Sequence, residues 1–179
     1  EVFTNIPGKF VSEPPVLVED YLRWFEQIAA LGANTVRAFT ILPPAFYRAL
    51  RRHNDRSERQ RLHLIQEVWL AESAGTNLFQ SSVEAGFQQE IARAIDAIHG
   101  QGDLPLRPGY SSGLYAVDVS PDVVGLLIGR EWEPHLVVAH NQANSQRNSY
   151  EGKFVSLDRG NAMEVWLAGM VDYAALYET

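Results

Sequence analysis

The sequence contains no cysteine. That absence removes a disulfide framework, a thiol nucleophile and a thiolate metal site together. Long apolar runs are missing too. Even the burst from Val123 to Ile128 is bounded by Asp122 and Arg130, far short of the roughly 18 residues that a membrane-spanning helix needs. Positive charge is scarce: 15 Lys and Arg face 22 Asp and Glu, for a formal net charge of −7. A nucleic-acid partner is therefore not expected, because phosphate contacts come from clustered Lys and Arg. One basic cluster exists, Arg48, Arg51, Arg52, Arg56, Arg59 and Arg61, but Asp55 and Glu58 interleave it. Its spacing over a predicted helix and the following loop suits a solvated face.

What is present is ordinary globular material. Of 179 residues, 46% are hydrophobic and 21% charged, enough for one soluble domain, residues 1–179, with a core of its own. The chain begins at Glu1 without a methionine, shows no signal-peptide pattern and stops just past a helical stretch, so it reads as a piece of a longer gene product. The compartment stays open, with the cytoplasm slightly favoured.

Periodicity organises the chain into alternating elements. Leu22, Phe25, Ile28, Ala29 and Leu31 recur at helical spacing and are closed by Gly32, which predicts a helix over 19–31. The stretch 34–42, rich in Thr, Val, Phe and Ile and ended by Pro43-Pro44, predicts a strand. Phe46, Tyr47 and Leu50 then give a second helical face to about His53. Residues 62–70 form a near-continuous apolar run, as in a strand buried on both faces. Val83, Phe87, Ile91, Ile95 and Ile98 make a third helical stripe ending at Gly100. A loop over 101–113, a short turn of helix at Ser120-Pro121-Asp122 and a buried strand over 126–131 follow. The polar segment 135–160 reads as a long loop, and Met163, Trp166, Leu167, Met170, Ala174 and Tyr177 make a last amphipathic helix. Strict alternation with buried strands predicts an α/β fold with a parallel sheet wrapped by helices, a (β/α)8 barrel before a doubly wound sheet. No Gly-x-Gly-x-x-Gly follows any strand, which disfavours dinucleotide binding, and no cofactor is expected.

In such a barrel the chemistry sits at the C-terminal ends of the strands. Three ends can be read: Arg37 and Thr40; Gln66, Glu67 and Trp69; and Arg130, Glu131, Trp132 and Glu133. The third stands out, because two carboxylates appear within three positions directly after an apolar run, and buried charge is costly unless paired or used. Cleavage of a glycosidic bond needs one carboxylic acid to protonate the leaving oxygen and a second carboxylate across the ring. Trp69 and Trp132 could stack on the apolar faces of a sugar, whereas Trp24 and Trp166 fall on amphipathic helix faces and read as core.

Gly32-Ala33-Asn34-Thr35-Val36-Arg37 resembles the second-strand signature of clan A glycoside hydrolases, retaining enzymes with a (β/α)8 fold. Ile128-Gly129-Arg130-Glu131 is similar to that clan's fourth-strand motif, which presents the acid/base glutamate. The resemblance implies half a TIM barrel, roughly strands two to four with their helices, with strand one at or before Glu1 and the loop 7–15 after it. It further implies hydrolysis of O-glycosidic bonds with Glu131 as general acid/base, and Arg37, Gln66, Trp69, Arg130 and Trp132 as carbohydrate contacts. The clan's asparagine before the glutamate is Arg130 here, and a second registration, Trp132-Glu133-Pro134, would move the role to Glu133. The clan's nucleophile comes from strand seven, so this chain is expected to lack it and to be inactive alone. A missing barrel half or self-association is expected to complete the fold.

Two other readings stay open. One is a non-catalytic carbohydrate-binding or structural barrel fragment, in which Arg130 neutralises Glu131. The other is metal-dependent hydrolysis through His63, Glu67, Asp118, His135 or His140, disfavoured because no metal-ligand spacing such as His-Glu-x-x-His occurs. No metal is expected.

Overall fold

The computed structural model describes residues 13–56, 58–71 and 75–179. The expected first strand and the part of its loop over 7–12 lie outside the described residues. The fold is mixed α/β, with a three-stranded sheet in the order β1 (Thr35–Ala38), β2 (His63–Trp69) and β5 (Val123–Gly129). Strands β1 and β2 run parallel, in the register Thr35↔His63 through Ala38↔Gln66. The described residues form two compact units, one within 13–66 and 96–126 and one within 67–95 and 127–179.

The first unit is built on two helices, α1 (Val18–Ala30) and α2 (Pro44–Asn54). Tyr21, Leu22 and Phe25 point from α1 into an aromatic cluster with Phe46 of α2, edge to face at 5.5 Å from Tyr21 and 5.4 Å from Phe25. Such edge-to-face pairs add to the burial itself. Gly32, with φ of 82°, ends α1: its N–H bonds the Ala29 carbonyl, and the Ala33 N–H bonds Ile28. This is the Schellman geometry that favours glycine. Strand β1 is shorter than predicted. The chain leaves β2 after Ala38, and the Leu42 carbonyl accepts instead from the Tyr115 hydroxyl at 2.8 Å. At the far end of α2, the Asn54 side chain both donates to and accepts from the Leu62 backbone, at 2.8 and 2.9 Å. It thereby satisfies a buried peptide just before β2 begins.

The stretch 101–113, expected as loop, contributes strand β3 (Gly102–Leu104), which pairs antiparallel with β4 (Gly113–Tyr115). Three-residue strands are too short to display alternation. Strand β5 corrects a second expectation. Val124 and Leu127, three positions apart and so on opposite faces, are 59% and 42% exposed, and among the described residues β5 stands at the edge of the sheet.

In the second unit the expected loop 135–160 folds into helix α4 (Pro134–Ala143) and a small antiparallel pair, β6 (Tyr150–Glu151) with β7 (Ser156–Leu157). Only Leu136 and His140 of α4 are buried, so its amphipathic signature is too thin to read. Helix α5 (Ala162–Tyr177) starts with a capping box, in which Asn161 accepts from the Met163 and Glu164 N–H groups and Glu164 accepts from the Asn161 N–H. Asp172 of α5 anchors the β6–β7 pair: its carboxylate accepts from the N–H groups of Lys153, Phe154 and Val155 and from the Tyr150 hydroxyl. These bonds, led by the one from Phe154, hold the carboxyl below its ordinary range.

Candidate functional site

The pleat of β2 sorts its candidates. Leu64, Gln66 and Val68 alternate onto one face, and Ile65, Glu67 and Trp69 onto the other. Gln66 is fully buried, and its side-chain oxygen accepts from the Tyr47 hydroxyl at 2.8 Å. Burial pushes the Tyr47 phenol far above its ordinary range, which keeps that hydroxyl a donor. Gln66 therefore serves the core of the first unit, separated by the pleat from half-buried Trp69. Arg37 pairs in register with Ile65, is exposed, and lays its guanidinium over the Phe39 ring at 4.6 Å.

The second unit holds the remaining candidates in one turn. Strand β5 ends at Gly129, whose φ is 126° and whose added Cβ would lie 2.9 Å from the Trp132 indole. Only glycine accommodates both the backbone angle and the indole folded back on it. Arg130 and Glu133 are thereby brought together: the Arg130 guanidinium, buried at 3% side-chain exposure, donates through Nη2 to Glu133 Oε2 at 2.7 Å. The Glu133 carboxyl is held below its ordinary range, first by its own backbone N–H and then by the Arg130 charge. Nε and Nη1 of Arg130 find no acceptor among the described residues, and the Trp132 ring stands 5.7 Å from the guanidinium carbon. Glu131 points out of this pair: it is exposed and makes no ion pair among the described residues. The arginine is spent on Glu133, the carboxylate three positions on, and not on its immediate neighbour.

Trp132 also packs edge to face on Trp166 of α5 at 5.7 Å, and Phe87 of α3 (Ser81–Ile98) stacks on Trp166 at 5.3 Å. Trp166 is core, as its helical position implied. It also lines a cavity of about 360 Å³ that takes in Glu84, Arg147, Asn148, Tyr150 and Gly169. No sequence signal joined these residues, since Glu84 sits on a helix and Arg147 in a polar stretch 63 positions away.

Among the described residues no three His, Asp or Glu side chains converge as metal ligands. His140 is committed elsewhere: Leu78 donates its N–H to Nδ1 at 3.1 Å, and Phe79 stacks on the ring. No helix of the described residues is long and apolar enough to cross a membrane. No protein-family model matches the sequence, and comparison with curated proteins and with solved structures returns no match.

Proposed function

We propose that this chain is the part of a retaining glycoside hydrolase barrel that carries the acid/base, with β1, β2 and β5 as barrel strands two, three and four. The observation that carries the reading is the turn after β5. Two carboxylates follow a strand of the sheet, one bound to Arg130 and the other free. A carboxylate held ionised by a guanidinium is a poor proton donor, so Glu133 is the positioning member and Glu131 the acid/base. In the first step Glu131 gives its proton to the glycosidic oxygen while a nucleophilic carboxylate, from beyond residues 1–179, attacks the anomeric carbon. The resulting glycosyl ester is then hydrolysed by a water whose proton returns to Glu131. A sugar ring seated over the exposed Glu131 supplies the apolar cover that such an acid needs. Arg130 and Trp132 flank it as binding groups, and Trp69 ends the strand adjacent to β5.

The test is hydrolysis of aryl glycosides by the full-length protein with Glu131→Gln and Glu133→Gln compared. The expected outcome is a loss of a hundredfold or more in kcat for Glu131→Gln, on the order of general acid catalysis, with a smaller loss for Glu133→Gln. Loss only in Glu133→Gln would move the role by two residues. Loss in neither would leave a carbohydrate-binding barrel without catalysis.

A further inference from the structure

The cavity behind Trp166 has a composition that the proposed turn does not explain. A carboxylate, Glu84 in the first turn of α3, and a guanidinium, Arg147 after α4, both line it. Neither has an ion-pair partner among the described residues. The Arg147 guanidinium carbon lies over the Phe79 ring, 4.1 Å from its centre, a cation–π contact that restrains it at the cavity wall. The lining also includes Asn148 and Ser149, residues with neutral hydrogen-bonding groups, and the half-buried Tyr150. The Tyr150 hydroxyl is tied to Asp172 at 3.1 Å, which fixes that wall. The helix side is kept open by Gly169, whose added Cβ would lie 3.4 Å from the Tyr150 ring. The volume falls at the lower end of ligand pockets, about 300–1,000 Å³.

We propose that this cavity is a subsite for a neutral sugar ring, with Glu84 accepting from, and Arg147 donating to, hydroxyls on opposite sides of the ring. Planar carboxylate, guanidinium and amide groups match the paired donors and acceptors of vicinal hydroxyls. The aromatic and apolar remainder of the wall, Tyr150, Trp166 and Met170, suits the C–H faces of the same ring. A simple zwitterion such as glycine would satisfy the two charges but leave the amide and hydroxyl groups of the lining unused, and glutamine, whose carboxamide could reach them, is the stricter comparison. The proposal rests on the glycosidase reading and extends it, because Trp166 is shared: it lines the cavity and also meets Trp132 of the strand-end turn.

The experiment is a ¹H–¹⁵N titration of the 179-residue chain with methyl β-D-glucopyranoside, methyl β-D-galactopyranoside, methyl α-D-mannopyranoside and cellobiose, reading the Trp166 indole N–H. L-glutamine serves as the zwitterionic comparison. At least one sugar is expected to shift that resonance saturably. Glu84→Gln and Arg147→Gln should each weaken the binding by about tenfold, the loss expected for removing a charged hydrogen-bond partner. Gly169→Leu, which fills the cavity, should abolish it; should that variant fail to fold, the two charge variants decide. No sugar response, a response unchanged in the charge variants, or a response to glutamine alone overturns the subsite. Glu131→Gln is expected to leave the titration unchanged. Sugar binding with no Glu131-dependent hydrolysis would thus overturn the catalytic reading alone, and hydrolysis without binding here would overturn the subsite alone.

Discussion

Arg130 meets Glu133 at 2.7 Å, leaving Glu131, its immediate neighbour in the chain, outside the pair. Both residues lie in the short connection between β5 and α4, where the positive φ of Gly129 turns the chain and lets positions 130 and 133 meet. In Arg130→Gln the Glu133 carboxyl should titrate at a higher pH than in the parent chain, since the guanidinium that holds it low is gone. Carboxyl-selective ¹³C titration checks this. A Glu133 titration left unchanged in Arg130→Gln would show that the guanidinium does not hold this carboxyl low.

Gly129→Ala tests the turn itself. An L-residue at φ of 126° is strained, and its Cβ would also press on the Trp132 indole at 2.9 Å. The backbone part alone costs of order 1–3 kcal/mol. Urea denaturation followed by tryptophan fluorescence should show a loss of at least that size, whereas Gly125→Ala, with nothing within 4 Å of the added carbon, should lose far less.

Which parts of this were legible in the sequence follows from how each signal arises. Helices α1, α3 and α5 were legible from recurring apolar residues, and for α1 and α3 the closing glycines Gly32 and Gly100 agreed with that spacing; the Asn161 cap of α5 emerges only in the structure. The grouping of Gln66 with Trp69 failed for a geometric reason: three positions apart on a strand, they fall on opposite faces. Helix α4 hid because Leu136-Val137-Val138-Ala139 is contiguous rather than periodic and is followed by Asn and Gln. Neighbours in sequence suggested that Arg130 would neutralise Glu131. The partner was set by the φ of Gly129, which no residue spacing encodes.

Asp172 gives a prediction in acid. Its carboxyl lies below the ordinary range because three N–H groups and the Tyr150 hydroxyl bind the charged form. The unfolded chain therefore takes up the proton first. The stability that Asp172 contributes is complete above the ordinary carboxylate range and is lost as pH falls through the lower folded value. The stability difference between the parent chain and Asp172→Asn should shrink over that window. At neutral pH, Asp172→Asn should speed amide exchange at Phe154 and Val155. Gly152→Ala should do the same, because its Cβ would collide with the Asp172 carboxylate. A difference that is flat with pH would mean the carboxylate does not hold the hairpin.

His140 works in a higher window and with a different chemistry. It is fully buried, and its Nδ1 accepts from the Leu78 N–H, which requires the neutral ring. Burial lowers its pKa below the ordinary histidine value of about 6.5. The contribution is therefore intact above that value and declines as pH falls towards the folded value, because the unfolded chain binds the proton that the folded site refuses. The ring C–H resonance of His140 should titrate below the ordinary histidine value of about 6.5. Unfolding stability should fall on going from pH 7.5 to 5.5, and this fall should be reduced in His140→Gln, whose amide oxygen can accept from Leu78 without titrating. Leu78 and Phe79 open the turn into α3, and Phe79 carries Arg147 on its ring. Protonating His140 should thus also loosen the Arg147 side of the cavity. If His140 titrates at or above the ordinary histidine value, or if its replacement leaves the pH slope unchanged, the buried hydrogen bond does not anchor this turn.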